Sequence, residues 1–110
     1  MSIEKKRLYV VATPIGNPRD ITLRALDVLQ QVDAVICEEQ RQGSTLLKKL
    51  GISTTIILLN EHNEAEQASQ IAQRIHRGET MALISDCGTP VFADPGATLI
   101  ARLVELGVPV

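Results

Sequence analysis

A chain of 110 residues, 45% of them hydrophobic, is long enough for one globular domain with a real core. Aromatic residues make up only 2% of the chain, so this core must consist of Leu, Ile, Val and Ala. The formal net charge of −2 shows no basic footprint for nucleic acid, and neither a membrane-spanning run nor a signal-peptide pattern occurs.

Apolar runs alternate with helical periodicities along the chain. Strands are predicted at residues 8–12, 33–37, 54–59 and 80–84, and a fifth strand begins at 108–110. Helices are predicted at about 20–31, at 46–50, at 65–75 and from 94 to a stop at Gly107.

Polar and small residues suggest how these helices begin and which faces they bury. We expect Asp20 to cap the first helix, Gly43-Ser44 to precede the second and Asp94-Pro95-Gly96 to start the last. The apolar spacing places Leu23 on a buried face of the first helix and Val104 on a buried face of the last.

This alternation with short connections predicts an α/β fold: an open, mainly parallel five-stranded sheet with helices on both faces. The connections that precede the strands are short and chemically bland. Those that follow the strands are rich in Pro, Gly and polar side chains, at 13–18, 38–41, 60–64 and 85–96. In a parallel sheet these four connections lie at the carboxyl edge, where open α/β sheets bind ligands.

Familiar catalytic motifs are missing from these connections. The sequence contains neither P-loop nor G-x-G-x-x-G spacing, and no G-x-S-x-G elbow. Glu38 and Glu39 are adjacent and form a poor acid/base pair, because neighbours on an extended chain point to opposite sides. Backbone groups, small polar side chains and the cation Arg41 remain, and they suit a zwitterionic or nucleoside ligand.

Structural roles are equally open for these residues. Arg41 could instead form a surface ion pair with Glu38 or Glu39. His62 and Asn63 could be capping or solvent-facing groups. The segment 85–96 could be a tight surface connection.

The cysteines, histidines and N-terminal basic cluster point to no further chemistry. Cys37 and Cys87 have neither metal nor CxxC spacing, and we interpret both as buried or loop thiols of a cytoplasmic protein. His62 and His76 are isolated, so no metal site is predicted. Lys5-Lys6-Arg7 is more typical of a solvated N-terminal tail than of an RNA-binding arm.

Three motifs carry a resemblance to the tetrapyrrole-methylase-like family. They resemble the branch of that family that methylates a cytidine ribose 2′-hydroxyl in small-subunit (16S) ribosomal RNA. The motifs are Leu8-Tyr9-Val10-Val11-Ala12-Thr13-Pro14-Ile15-Gly16-Asn17 with Asp20-Ile21-Thr22 and Arg24-Ala25-Leu26, His62-Asn63-Glu64, and Ser85-Asp86-Cys87-Gly88-Thr89-Pro90 with Asp94-Pro95-Gly96.

The resemblance implies a methyltransferase that binds S-adenosyl-L-methionine in a cleft between two α/β domains. It implies small-subunit ribosomal RNA as the partner of the full-length enzyme, a homodimer and no metal. The implied cofactor-binding residues are Pro14, Ile15, Gly16, Asn17, Ser85, Asp86, Gly88, Thr89 and Pro90. The implied substrate-binding residues are Glu38, Arg41, His62 and Asn63. The catalytic base is not identified.

The chain departs from that branch in two motifs and in length. Glu38-Glu39-Gln40-Arg41 stands where Glu-Asp-Thr-Arg is usual, and Cys87 replaces an alanine. We expect residues 1–110 to be the N-terminal domain of a two-domain enzyme, with weak cofactor binding and little or no catalysis alone. Two alternatives are a methyltransferase of the same family that acts on a tetrapyrrole or other small molecule, and a non-catalytic α/β interaction module.

Overall fold

A computed structural model describes residues 3–13, 20–86 and 96–110 of the chain. Strands and helices alternate along these residues, as the sequence predicts. The strands are β1 (Leu8–Thr13), β2 (Ala34–Cys37), β3 (Thr55–Leu58) and β4 (Met81–Asp86). The helices are α1 (Leu23–Gln31), α2 (Gln40–Lys49), α3 (Glu64–His76) and α4 (Gly96–Glu105).

All strand pairs in the sheet are parallel, and their order is β1-β4-β2-β3. The last strand in the chain, β4, therefore lies inside the sheet, where Met81 is in register with both Leu8 and Ala34. Parallel neighbours need crossover connections, and the helices supply them. The α/β class and the parallel sheet are confirmed.

The prediction of five strands is wrong for the described residues, which form a four-stranded sheet. The segment 108–110 approaches the start of β1, where the Leu8 N–H donates to the Pro109 carbonyl at 3.1 Å. Proline has no N–H with which to extend this contact into a ladder. Val108 nevertheless lies in the core, with 6% of its surface exposed.

Two apolar cores lie on opposite faces of the sheet. One contains α3 and α4 with Leu8, Ile36 and Met81 from the strands, and the other contains α1 and α2 with Val35 and Ala82. Consecutive strand residues point to opposite faces, so the adjacent Met81 and Ala82 are each fully buried in a different core. Helices on both faces are thus confirmed.

The first helix begins later than predicted. Thr22 is its N-cap, and the Thr22 hydroxyl accepts a hydrogen bond from the Ala25 N–H at 3.0 Å. The prediction that Asp20 caps this helix is wrong, because a capping side chain must reach the second or third helical N–H. Leu23 is 81% exposed and does not belong to the buried face, which Val28 and Leu29 form instead.

Helix α2 begins earlier than predicted, at Gln40, so Gly43 and Ser44 lie inside it rather than before it. Gly43 is buried where the helix crosses the end of β2. A Cβ at this position would lie 2.5 Å from the Cys37 Sγ, which is too close for two unbonded heavy atoms. The glycine therefore permits the close packing of α2 on β2.

Helix ends agree better with the sequence prediction than helix starts. Gly51 and Gly107 follow α2 and α4 with φ of 72° each, the left-handed conformation that glycine adopts without strain. Within α4, Leu99 and Leu103 are fully buried as predicted. Val104 is 67% exposed, contrary to prediction, because one helical position rotates a side chain by about 100° away from Leu103. The predicted helix start at Asp94-Pro95 lies outside the described residues.

Candidate functional site at the carboxyl edge of the sheet

The strand order arranges the four carboxyl-edge connections differently from their order in the chain. Along this edge, the strand ends follow one another as Thr13, Asp86, Cys37 and Leu58. The connections after β1 and β4 are therefore neighbours, and so are those after β2 and β3. The predicted cofactor-binding residues thus share one half of the edge, and the predicted substrate-binding residues share the other.

The end of β4 carries the cofactor-binding positions that the structure describes. Ser85 and Asp86 are its last two residues, and their backbones are in register with Ala12 and Thr13 of β1. The remaining predicted cofactor-binding residues, Pro14, Ile15, Gly16, Asn17, Gly88, Thr89 and Pro90, lie outside the described residues.

The two connections that start at the paired ends of β1 and β4 lead to opposite faces of the sheet. One leads to α1, whose buried residues belong to the same core as Val35, and the other leads to α4, which packs on the face of Ile36. In open α/β sheets, ligands bind in the crevice where neighbouring connections diverge in this way. The connections after β4 and β2, and those after β2 and β3, diverge in the same way, so this feature is shared by the whole carboxyl edge.

Exposed charged groups occupy the other half of the edge. Glu38 follows β2 directly, and Arg41 lies in the first turn of α2. Both side chains are exposed, and the structure records no ion pair between Arg41 and either Glu38 or Glu39. The guanidinium of Arg41 is therefore available to a ligand rather than held by its acidic neighbours.

Cys37 lies beneath this charged group and has a structural role. It is 4% exposed, and its Sγ donates to the Glu39 carbonyl at 3.4 Å. Burial raises the pKa of the Cys37 thiol, which keeps the sulfur protonated and unreactive. The interpretation of Cys37 as a buried thiol is confirmed, and Cys87 lies outside the described residues.

The connection from β3 to α3 is closed by the side chain of Asn63. Its Oδ1 accepts from the Asn60 N–H at 2.8 Å, and its Nδ2 donates to the Leu58 carbonyl at 3.1 Å. His62, in contrast, points to solvent, with 85% of its side chain exposed. Since Leu59 N–H donates to the Cys37 carbonyl at 3.0 Å, this connection adjoins the start of the Glu38 segment.

Replacing Asn63 with Ala is expected to lower the free energy of unfolding by about 1–2 kcal/mol, because two hydrogen bonds of a half-buried loop are lost together. Urea unfolding followed by circular dichroism measures the change. His62→Ala serves as the matched control in the same loop, and we expect it to change stability by less than about 0.5 kcal/mol. Equal effects of the two substitutions would contradict the assigned role of Asn63.

Acidic side chains predominate among the described residues at the carboxyl edge, a feature that the sequence motifs do not predict. Negative charge is favourable at helix N-termini, which lie at this edge. The first turn of α3 accordingly contains two acidic residues, Glu64 and Glu66. The Thr98 hydroxyl also donates to Glu64 at 3.4 Å, which joins the first turns of α3 and α4. The described acidic residues at this edge are Asp20, Glu38, Glu39, Glu61, Glu64 and Glu66. Their charge favours a ligand with cationic groups.

The described residues contain neither a metal-binding group nor a membrane-spanning helix. Across 3–13, 20–86 and 96–110, no three His, Cys, Asp or Glu side chains are grouped so that they could hold a metal ion. Within the same ranges, no helix is both long and apolar enough to cross a membrane.

The fold and the edge define a class: a parallel α/β domain whose polar connections lie at the carboxyl edge of the sheet. Comparison with known proteins narrows this class to a family. Residues 7–110 match the profile of the Tetrapyrrole (Corrin/Porphyrin) Methylases, and the chain belongs to this family. The resemblance found in the sequence motifs is confirmed.

Curated relatives share the name "Ribosomal RNA small subunit methyltransferase I". The protein from Leptospira biflexa is 46% identical over 105 residues, which cover 96% of this chain and 44% of the relative. The Neisseria meningitidis serogroup A protein is 48% identical over 91% of this chain and 34% of its own length. The Escherichia coli O157:H7 protein is 43% identical over 93% of this chain and 36% of its own length. The chain therefore spans between about a third and less than half of these relatives.

Proposed function

We propose that this chain is the N-terminal α/β domain of an S-adenosylmethionine-dependent methyltransferase that methylates the 2′-hydroxyl of a cytidine in 16S ribosomal RNA. The observation that carries the proposal is the identity of 43–48% to ribosomal RNA methyltransferases across at least nine-tenths of the chain. Because these relatives share one name, they favour an RNA substrate over a tetrapyrrole.

The carboxyl edge fits the chemistry of the proposed cofactor. S-adenosylmethionine carries a sulfonium and an ammonium cation beside one carboxylate, and the described part of this edge is acidic. The parallel pairing of β1 with β4 ends both strands at neighbouring points of the carboxyl edge, which supports placing the cofactor between the segments 14–17 and 85–90. In this proposal, Pro14, Ile15, Gly16, Asn17, Ser85, Asp86, Gly88, Thr89 and Pro90 hold it.

The protein has a limited chemical task in such a reaction. When bound, S-adenosylmethionine supplies an activated, electrophilic methyl group. The protein aligns the acceptor hydroxyl with that group and assists removal of its proton. The connections after β2 and β3, at the other half of the carboxyl edge, are suited to aligning an RNA strand.

We assign substrate contacts to Glu38, Arg41 and His62, whose side chains are exposed beside the proposed cofactor half. Arg41 is suited to a phosphate group, because a guanidinium forms bidentate hydrogen bonds with phosphate oxygens. Asn63 supports them by closing the loop that carries His62. Glu39 and Gln40, which depart from the usual motif, are exposed at the start of α2, so they can differ without disturbing the core.

The activity requires more than this chain. In the family the cofactor cleft lies between two domains, so we infer that residues 1–110 supply one wall of it and bind the cofactor weakly alone. A homodimer in the cytoplasm completes the proposal.

Calorimetric titration of S-adenosylhomocysteine into this chain and into the full-length protein tests the proposal. We expect binding to the full-length protein and affinity at least about tenfold weaker for the chain alone, because one wall of the cleft is lost. Binding to neither protein would refute the assignment.

A matched pair of variants tests the site itself. Asp86→Asn in the full-length protein is expected to weaken binding about tenfold, since it removes one negative charge from a residue that the proposal assigns to a ligand with cationic groups. Asp27→Asn makes the same chemical change on α1, away from the carboxyl edge, and should leave the affinity unchanged. Equal affinities for the two variants would contradict the placement of the cofactor beside β4.

A further inference from the structure

The basic segment Lys5-Lys6-Arg7 lies at the amino edge of the sheet, opposite the proposed active site. It differs from the solvated tail that its composition predicts, because the structure anchors it on both sides. Ile3, just before it, is 7% exposed and packs in the core of α1 and α2. Leu8, just after it, is fully buried in β1. The segment is therefore a fixed turn.

A network of backbone and hydroxyl groups holds this turn. Lys6 has φ of 56°, a left-handed conformation that is uncommon for a residue with a Cβ. Its N–H donates to the Thr80 Oγ1 at 2.8 Å, and Thr80 is only 1% exposed. Thr80 and Asp33 are in turn joined by two hydrogen bonds of 2.8 Å each. Unusual backbone conformations persist where surrounding contacts enforce them and often mark functional positions.

The ammonium groups of Lys5 and Lys6 form no ion pair within the described structure. Both side chains are exposed, and neither forms an ion pair with a described residue. Their acidic neighbour Glu4 is bound by the Arg7 guanidinium at 2.6 Å. The turn therefore presents two unneutralised cations at fixed backbone positions.

Other nearby carboxylates are also engaged. Arg74 binds Glu79 through two hydrogen bonds, at 2.7 and 2.9 Å, and these bonds hold the pKa of the Glu79 carboxyl below its usual value. Asp33 accepts the Thr80 N–H with one carboxylate oxygen. Glu79 is thus neutralised by Arg74, and neither Glu79 nor Asp33 forms an ion pair with Lys5 or Lys6.

The turn lies in a basic surface that contrasts with the acidic carboxyl edge. Each helix runs antiparallel to the strands and ends at the amino edge, where basic residues complement the helix C-termini. The basic residues on this side include Lys5, Lys6, Lys48, Lys49 and Arg77, and Arg102 is paired with Glu105 at 3.3 Å. The small net charge of −2 is therefore the sum of an acidic carboxyl edge and a basic amino edge.

We propose that the turn formed by Lys5 and Lys6 binds the phosphate backbone of the RNA substrate, at a second contact remote from the methyl-transfer site. This inference rests on the proposed function. The six residues of β1 separate the two edges by roughly 20 Å, a distance that a small-molecule substrate does not span and a folded ribosomal RNA does. Polyanion binding matches the free ammonium groups, and the acidic edge explains why a contact elsewhere is needed.

Binding of full-length protein to transcribed 16S ribosomal RNA, measured over a range of KCl concentrations, tests this contact. For the double variant Lys5→Gln/Lys6→Gln we expect a loss of affinity of about three- to tenfold at moderate salt. We also expect the slope of log affinity against log salt to shrink by about 1–2, as two phosphate contacts predict. Affinity for S-adenosylhomocysteine should not change.

Lys48→Gln/Lys49→Gln is the matched control, because it removes the same charge from exposed side chains at the end of α2. We expect the decrease in log RNA affinity for this control to be less than half of the decrease for Lys5→Gln/Lys6→Gln. Equal losses for the two pairs, or no loss for the turn variant, would overturn the proposal.

The substitution Lys6→Gly distinguishes the contribution of the Lys6 charge to RNA binding from its contribution to stability. Glycine adopts the left-handed backbone without strain, so the melting temperature should hold or rise while RNA affinity falls. A fall in melting temperature without a fall in affinity would assign Lys6 a structural role only. The two proposals can also fail separately. If the full-length protein does not bind S-adenosylhomocysteine but its RNA affinity still depends on Lys5 and Lys6, the methyltransferase assignment is refuted and the turn remains an RNA contact.

Discussion

Replacing Ile71 with Ala is expected to lower the free energy of unfolding by about 2–5 kcal/mol, a large part of the stability of a domain this size. Ile71 lies in the middle of α3 with 1% of its surface exposed, in the core that α3 and α4 form on the sheet. The substitution removes buried methyl groups and leaves a cavity. Urea unfolding followed by circular dichroism measures the loss.

Two further variants of α3 calibrate this result. Ile71→Val removes a single methylene and should cost about 0.5–1.5 kcal/mol. Gln73→Ala, on the exposed side of the same helix, should change stability by less than about 0.5 kcal/mol. A loss below about 1 kcal/mol for Ile71→Ala would mean that α3 does not pack on the sheet as described.

Gly43→Ala is expected to destabilise the protein by about 1–3 kcal/mol through overpacking, although alanine is normally the better residue inside a helix by about 1 kcal/mol. The new Cβ would meet the Cys37 Sγ at 2.5 Å and its Cβ at 3.2 Å. Cys37 is buried and hydrogen-bonded, so it has little room to move away. Steric conflict should therefore outweigh helix propensity.

The conflict can be tested by removing its other partner. In a Cys37→Ala background the sulfur is gone, so Gly43→Ala should become neutral or stabilising. A double-mutant cycle of the two positions gives their coupling energy directly. An increase in stability for Gly43→Ala in the otherwise unchanged protein would show that α2 and β2 are farther apart than the structure places them.

Local sequence patterns predict the elements of this fold well and their starts less well. The strand and helix order, the parallel sheet and the glycine stops at 51 and 107 all follow from periodicity and turn chemistry. The true start of α1 depends on which of two nearby polar residues, Asp20 or Thr22, reaches a helical N–H. The early start of α2 places Gly43 inside the helix against Cys37, a contact that local sequence patterns do not predict.

The location of the candidate site is predictable, but its internal arrangement is not. The contrast between bland and polar connections identifies the carboxyl edge. The neighbours along that edge depend on strand order, and β4 lies between β1 and β2 because of side-chain packing across the whole chain. The same limit applies to Asn63, whose residue type fits either a substrate contact or the loop closure that the structure shows.

The interior position of β4 also has a consequence for how the chain folds. β2 and β3 are neighbours both in sequence and in the sheet, so their pairing closes only a short loop. β1 has no strand partner in the described sheet except β4, so Leu8 cannot form its strand pair until Met81 is available. We therefore expect the first strand to leave the ribosome during synthesis to be among the last to be paired, with the closing of that long loop slowing the formation of the sheet.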